Sequence, residues 1–543
     1  MSTRQQAELA ITDETRQEGS RAMTIQTNIR ELIGSIEKMK ALAAGLLVAG
    51  MMATSLLVSQ PAHAATTFTV NDTRDSPDAS TASSTCDIDV FTVGDQCTLR
   101  AAIQQANAIP GADTINFNIP GTGVKTIAVG AGGAQSFGAL PPITEQVTID
   151  GYTQPGASPN TLATGDNAAL KIELNGASLS AFSSGLEIGS SSGTVIKGLV
   201  IHRFAKGIQI SGDSVANHIE GNFIGTDPTG TLARGNGFHG LFIVNGPSEN
   251  VVGGDTPAAR NLISGNGDQG VLVDNSDANR FQGNYVGTDK SGTKDLGNTI
   301  SGIHFNTGCL NNLVGGTTAG ARNLISGNGS TGVGIAGSGN KVLGNRIGTT
   351  VSGTGALGNG SDGVSVSGTN NVVGDGTSEA TNTIAFNGGD GVAVGGNGTT
   401  SNRILKNSVF SNTGLGIDLA GGFEDAAGRT ANDPGDIDSG ANGLQNFPVL
   451  ASAKTVSGKT TVTGKLASTP SKTFKVQFYS NPSGNEGKKF IVQKSVTTDG
   501  SGNASFTISP ATTVSVGQTI TATATDPGNN TSEFSAERNV ASS

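Results

Sequence analysis

Tryptophan is absent from the 543-residue sequence, aromatic residues make up 4% and charged residues only 14%. So little charge excludes an ordinary disordered tail, which stays solvated through charged residues and prolines. The net charge of −10 disfavours nucleic acid as a partner, because nucleic-acid binders carry basic patches. Glycine, by contrast, is abundant with 81 residues, which is about twice its average share. This composition favours short β-strands separated by tight turns.

Several familiar sequence motifs are also missing. We find no P-loop, no Gly-x-Ser-x-Gly elbow, no His-Glu-x-x-His pair and no dinucleotide fingerprint between a strand and a helix. No apolar stretch long enough to span a membrane follows the N-terminal leader. The sequence therefore points to no nucleotide cofactor and to no membrane span in the mature chain.

What the chain does contain is a repeat over residues 240–419. The segment that starts at Asn261 as Asn-Leu-Ile-Ser-Gly-Asn-Gly returns at Asn323, 62 residues later. A shorter unit, Gly followed by a three-residue apolar alternation, recurs at positions 240, 270, 302, 332 and 363, in steps of 30 to 32 residues. Fixed-period repetition is typical of solenoids. Short alternating segments without helical periodicity predict an all-β fold in which coils of about three strands stack as a parallel β-helix.

The repeat also predicts which side chains are buried. By the two-residue period of a strand, Val271 and Val273 point inward and Leu272 points outward. Two sets of asparagines recur, and we expect each set to satisfy backbone groups at a separate bend of the coil. One set is Asn222, Asn284, Asn345 and Asn407; the other is Asn261, Asn323 and Asn382.

The N-terminal region predicts export and a cap. Residues 1–64 form a leader whose segment of about 38–64 has the charged, apolar and small-residue parts of a signal peptide; the preceding polar residues favour a true start at Met23 or Met39. Residues 65–118 form a cap module with a helix that follows the N-cap Thr98. In an oxidising compartment Cys86 and Cys97 are expected to form a disulfide, and Cys309 is expected to be a buried apolar residue.

The segment Cys97-Thr-Leu-Arg-Ala-Ala-Ile103 resembles the CSLREA motif near the start of exported bacterial β-helix proteins, although Thr98 and Ala101 replace its Ser and Glu. The resemblance implies a right-handed parallel β-helix, a secreted or cell-surface location and an extracellular role. It extends over the β-helix at 119–420 and a C-terminal immunoglobulin-like module.

Two segments follow the β-helix. Residues 421–446 form an acidic, glycine-rich junction in which Asp433, Asp436 and Asp438 offer alternating carboxylates. Such oxygens suit Ca²⁺, while a solvated linker is the alternative. Residues 447–543 contain about seven short alternating segments, which predict an immunoglobulin-like β-sandwich.

Candidate catalytic residues are few. Lining up the coils places Asp362 and Asp390 one coil apart, close to the separation of about 5 Å between paired carboxylates in retaining glycosidases. The same two residues suit a cation site or plain turn chemistry. No basic residue accompanies them in the neighbouring strands, which lowers the prospect of a lyase.

These observations favour a non-catalytic scaffold. We expect a monomeric secreted or surface protein for adhesion, matrix contact or carbohydrate binding, with Ca²⁺ as the sole candidate cofactor. The alternative is a polysaccharide lyase or glycoside hydrolase that acts on acidic polysaccharides such as pectin or alginate.

Overall fold

The computed structural model of the chain describes residues 64–131, 137–179, 182–396 and 398–542. Residues 1–63 of the predicted leader (1–64) lie outside these residues. Within them, long parallel sheets are followed by a smaller antiparallel region, which confirms the predicted all-β fold with a parallel β-helix and a small β-sandwich. No described helix combines the length and apolarity that crossing a membrane requires.

The β-helix has three parallel sheets in the described part of the chain. Sheet 1 has 11 strands: Thr67–Val70, Asp113–Phe117, Val147–Asp150, Val195–Lys197, His218–Glu220, Val251–Gly253, Arg280–Gln282, Leu313–Gly315, Lys341–Leu343, Val372–Asp375 and Arg403–Leu405. Sheet 2 has 10: Lys125–Ala128, Ile172–Asn175, Leu199–His202, Phe223–Ile224, Leu262–Ile263, Tyr285–Val286, Leu324–Ile325, Arg346–Ile347, Thr383–Ala385 and Ser408–Phe410. Sheet 3 has nine: Ser184–Gly189, Lys206–Ser211, Leu241–Val244, Val271–Asp274, Ile303–Phe305, Val333–Ile335, Val364–Val366, Val392–Val394 and Ile417–Leu419.

Each complete coil visits sheets 1, 2 and 3 in turn, and the 62-residue repeat corresponds to two coils. In one coil the long connection lies between sheets 1 and 2 and carries the 3₁₀ turn Pro257–Ala259. In the next coil sheets 1 and 2 follow each other almost directly, and the long connection runs from sheet 2 at Val286 to sheet 3 at Ile303. Because long and short connections alternate, the period of 30 to 32 residues corresponds to one coil and the period of 62 residues corresponds to two.

The interior of the β-helix is a continuous apolar column. The sheet 2 register aligns Ile224, Ile263, Val286 and Ile325, and each is fully buried. In sheet 3, Val271 and Val273 are buried while Leu272 is partly exposed, as the sequence predicts. Cys309 is a free thiol that is also buried in this core.

Asparagine ladders line all three corners of the coil. At the corner between sheets 1 and 2, the amide of each asparagine donates to the side-chain oxygen of the next, from Asn222 through Asn261 and Asn284 onward to Asn407. The prediction of two separate bends is therefore wrong. The two sets alternate in one ladder, because successive coils reach the same corner with or without an inserted connection.

The β-helix begins within the segment predicted as the cap module. Thr67–Val70 and Asp113–Phe117 already pair as the first strands of sheet 1. The helix Leu99–Ala108 lies between them in sequence, with Thr98 as the N-cap that accepts from the Ala101 amide. Its apolar side packs on the first strands and belongs to the same core. A disulfide joins Cys86 to Cys97 immediately before this helix.

Two antiparallel sheets form the C-terminal sandwich around a separate apolar core. Sheet 4 consists of Val449–Val456, Lys459–Ala467 and Asn503–Ile508. Sheet 5 consists of Lys489–Thr497, Thr473–Asn481, Thr519–Thr525 and Arg538–Asn539.

The sandwich closes the open end of the β-helix. Backbone amides of the last coil donate to its side chains: Ile404 to Thr531 Oγ1 at 3.0 Å, Lys406 to Gln477 Oε1 at 2.9 Å and Leu419 to Glu533 Oε1 at 3.0 Å. Ile404 and Leu419 belong to the last strands of sheets 1 and 3, and Lys406 lies between the last strands of sheets 1 and 2. Tyr479 and Phe534 pack into the β-helix core itself. Because exposed strand groups invite aggregation, this packing gives the sandwich a structural task.

Candidate functional site

The outer face of sheet 3 carries side chains of varied size and charge. Strand pairing brings one outward column into register, and this column includes Leu272, which the sequence predicts to point outward. It runs Glu187, Gln209, Phe242, Leu272, His304, Gly334, Ser365, Ala393 and Asp418. Its first half is bulky and its second half is small, so the large side chains gather over the early coils.

A row of aromatic side chains lies beside this column. Phe182 is 79% exposed and Phe238 is 39% exposed, and their rings stack with centroids 6.4 Å apart and an interplanar angle of 19°. The row continues from Phe238 to His239 at 6.4 Å and from His239 to Phe242 at 5.3 Å. Contiguous exposed apolar area can mark a ligand-binding or partner-binding surface.

Polar side chains with fixed orientations border the aromatic row. The Lys206 ammonium lies 5.4 Å from the centre of the Phe242 ring and donates to Gln209 Oε1 at 3.0 Å. Gln209 in turn donates to Glu187 Oε1 at 3.1 Å. Because each group holds the next, the surface presents a pre-arranged set of donors and acceptors beside flat apolar rings.

His239 and Asp268 form the one pair in this region with acid–base character among the described residues. Their nearest atoms, His239 Nδ1 and Asp268 Oδ2, are 3.6 Å apart. Burial lowers the pKa of His239, and the nearby Lys206 charge acts in the same direction while Asp268 opposes it. Burial also lowers the pKa of His304. The lowered pKa favours the neutral form of both imidazoles, and a neutral imidazole can accept a proton.

The predicted catalytic pair, Asp362 and Asp390, is engaged in backbone hydrogen bonds. Asp362 Oδ1 accepts the amide of Asp390 at 3.0 Å, and Asp390 Oδ1 accepts the amide of Leu415 at 2.6 Å. Each carboxylate thus fixes the turn of the following coil. Burial raises the pKa of Asp390 and raises that of Asp418 to about 6, with Asp390 adding to the effect.

The junction brings Asp433, Asp436 and Asp438 together, with one oxygen of each within 4.8 Å of the others. Asp436 accepts from the Asn446 amide and from the Ser468 hydroxyl. Oδ1 of Asp433 and of Asp438 are buried without a hydrogen-bond partner in the described chain. Three converging carboxylates with free oxygens fit the donor set of Ca²⁺, so these residues would hold the ion if it binds.

Sequence reasoning missed most of the aromatic surface. Phe182 lies in a connection outside the repeat, Phe238 stands where the repeat has Ile300 62 residues later, and the pairing of His239 with Asp268 depends on the stacking of adjacent coils. One usable signal existed: the position before each strand glycine runs Lys206, His239, Gln269 in successive coils. That run places a cation and an imidazole beside the outward Phe242.

Comparisons with known proteins give structural likeness only. No protein-family profile matches the chain, and no curated protein does.

The mannuronan C-5 epimerase AlgE4 A-module of Azotobacter vinelandii is 15% identical, with a TM-score of 0.33 over 59% of this chain and 94% of that one. The tailspike protein 2 of Escherichia coli O157:H7 bacteriophage CAB120 is 11% identical, with a TM-score of 0.24 over 79% and 62%. The tailspike gp49 of Acinetobacter baumannii bacteriophage Fri1, a capsular polysaccharide depolymerase, is 10% identical, with a TM-score of 0.21 over 78% and 77%. At these scores we transfer no function from them to this chain.

Proposed function

We propose that the protein is exported and binds a polysaccharide along the early coils of sheet 3, as a non-catalytic scaffold. The observation that carries the proposal is the row of Phe182, Phe238, His239 and Phe242 with the Lys206–Gln209–Glu187 chain beside it. A sugar ring has an apolar C–H face and a rim of hydroxyls. Flat aromatic rings suit the face, and fixed polar groups suit the rim.

The linear layout favours an extended polymer. Successive strands in a sheet are about 4.8 Å apart, so side chains from neighbouring coils present contacts at regular intervals along the stack. The polar neighbours argue against a purely apolar protein partner, because an apolar interface core is depleted in charged groups such as Lys206 and Glu187.

Affinity electrophoresis of the mature protein through gels that contain soluble polysaccharides tests this surface. Pectin, alginate, dextran and xylan provide acidic and neutral choices. We expect one or more of them to retard the wild type. Phe182→Ala with Phe238→Ala should weaken that retardation at least about tenfold, as loss of aromatic hot spots does.

The matched control is Phe91→Ala, since Phe91 is 95% exposed and lies in the N-terminal loop before the capping helix. This variant should behave as the wild type. If the double variant and Phe91→Ala are retarded equally, or if none of the four polysaccharides retards the wild type, the proposed surface is wrong.

A second candidate function is cleavage of an acidic polysaccharide at the same surface, which the neutral His239 beside Asp268 and Lys206 favours. His239 would take the proton from the carbon next to the sugar carboxylate, and the Lys206 ammonium would offset the negative charge that develops. The glycosidic C–O bond would then break as a C=C bond forms, and water would protonate the departing oxygen. Incubation with pectin or alginate should then release products with a new C=C bond, detected by their ultraviolet absorbance, and His239→Ala should abolish them. Loss of products in Asp362→Asn or Asp390→Asn but not in His239→Ala would instead place the chemistry at these two aspartates.

A further inference from the structure

A long connection covers the outer face of sheet 2 over its early coils. It joins the strand Val147–Asp150 of sheet 1 to the strand Ile172–Asn175 of sheet 2. Ala168 and Leu170 from this connection pack on an apolar strip of that face. The strip consists of Val200, Phe223, Leu262, Tyr285 and Leu324. The cover stops near Ala163, and a cavity of about 380 Å³ opens beyond it.

Arginines from three coils line this cavity: Arg260, Arg322 and Arg346. Arg260 and Arg322 occupy equivalent places in the 62-residue repeat, each directly before a ladder asparagine. The floor between them is apolar, from Leu324 and Val351. A group of arginines is unexpected in a chain with a net charge of −10.

The three arginines differ in how much of their hydrogen-bonding capacity is used. Arg260 is 7% exposed, lies 4.4 Å over the Tyr285 ring and donates to the carbonyls of Leu162, Ala163, Gly165 and Gly283. It holds the covering connection in place. Arg322 donates only through Nε, to the Gly344 carbonyl at 2.9 Å, and Arg346 only through Nη1, to the Val351 carbonyl, among bonds within the described chain.

No carboxylate lies within ion-pair distance of Arg322 or Arg346 among the described residues, although Asp255 also lines the cavity. Partly buried guanidinium groups without a counter-charge are costly. Arg322 and Arg346 also repel each other. Burial lowers the pKa of Arg346 most, and the positive charge of Arg322 lowers it further. A bound oxyanion would relieve both costs and fill the free donors.

We propose that this cavity is an anion-binding site for an acidic sugar, with the carboxylate held between Arg322 and Arg346 and the ring against Leu324 and Val351. Guanidinium groups match carboxylates through paired, nearly parallel hydrogen bonds. The apolar floor favours an anion carried on an organic ring over a bare inorganic ion. The site lies on sheet 2 and stands independently of the surface proposed on sheet 3.

Isothermal titration of the intact protein with galacturonate, galactose, inorganic sulfate and inorganic phosphate tests the proposal. Galacturonate should bind, and galactose should not, since galactose lacks the carboxylate. Arg322→Gln and Arg346→Gln should each weaken galacturonate binding at least about tenfold, which corresponds to the loss of a charge-assisted hydrogen bond. Arg322→Lys should lose an intermediate amount, because lysine keeps the charge without the fork.

The matched control is Arg280→Gln, an exposed arginine on sheet 1, which should bind as the wild type does. Unchanged unfolding temperatures and retained binding to gel-immobilised polysaccharide would show that the pocket variants are folded and that the sheet 3 surface is unaffected. Equal binding of galactose and galacturonate, sulfate or phosphate binding without galacturonate binding, no binding of any probe, or galacturonate binding that survives both glutamine variants would each overturn the proposal.

Discussion

Glu533 joins the sandwich to the last coil and offers a quantitative test of that joint. It is 1% exposed, and its carboxylate accepts from the Leu419 amide at 3.0 Å, the Thr430 amide at 2.9 Å and the Thr430 hydroxyl at 3.2 Å. Burial raises its pKa from 4.5 to about 7, against these hydrogen bonds, and the charge of Asp418 adds to the rise.

The direction of the effect on stability follows from this pKa. In the unfolded chain the pKa returns to its ordinary value, so between about 4.5 and about 7 the folded state holds the proton more often than the unfolded state. The free energy of unfolding therefore rises as the pH falls from about 7 towards about 4.5. It decreases again as the pH rises through the same range, and the loss is complete above about 7. From pH 8 to about pH 5.5 the gain amounts to about 2 kcal/mol at 1.36 kcal/mol per pKa unit.

Equilibrium urea unfolding at pH values of about 5.5 and about 8 measures this gain. We expect Glu533→Gln to lose about 2 kcal/mol of the pH dependence seen in the wild type, because glutamine does not titrate there. Its absolute stability also falls, since the amide nitrogen cannot accept from Thr430, so the comparison uses the change with pH alone.

Glu537→Gln is the control, because Glu537 is exposed and lies four residues further along the same segment. This variant should keep the pH dependence of the wild type. If Glu533→Gln and the wild type change in parallel between the two pH values, Glu533 does not carry a raised pKa, and the account of this joint is refuted.

Three further changes have defined outcomes. Asn284→Ala should cost about 3 kcal/mol in urea unfolding, because it leaves buried amide partners unpaired on both sides of the ladder; a loss under about 1 kcal/mol would contradict that role. Gly253→Ala should lower the unfolding temperature far more than Gly428→Ala: both glycines have positive φ, but an added Cβ meets the Gln282 carbonyl at 1.9 Å in the first and nothing within 4 Å in the second. Calcium should raise the unfolding temperature of the wild type and chelator should reverse this, while Asp438→Asn should show neither effect; an absence of calcium binding heat in the wild type would exclude the ion at the junction.

The regular part of the fold was accessible from sequence because its rules are local. The alternation of Val271, Leu272 and Val273 shows which side chains face inward without any knowledge of the neighbouring coils. The asparagines expose the limit of that reasoning. Asn222 and Asn261 stand in different sequence contexts, and only the pairing of Phe223 with Leu262 shows that they occupy one corner.

The candidate sites depend on contacts that no local rule supplies. Arg322 ends a long connection between sheets 1 and 2, and Arg346 follows a short connection at the same corner of the next coil. The two arginines are close because the strands that follow these connections pair in register, with Leu324 opposite Arg346. Phe182 reaches Phe238 across two coils, and the connection that carries Phe182 lies outside the repeat. The position of the sandwich is similar: its strands could be predicted from alternation, whereas its placement on the last coil depends on single side chains such as Gln477 and Thr531.

The pairing of long and short corners makes the β-helix adjustable in length by whole units. Excision of residues 261–322 would join Arg260 directly to Asn323 and restore the same local sequence, with every corner ladder continuous. The two ends would approach each other by about 10 Å, the rise of two coils. Phe182, Phe238 and the capping sandwich would stay, while His304 and one of the repeated arginines would go. The distance between the two ends of the β-helix can thus change by one pair of coils at a time, without a change in the sequence of either end.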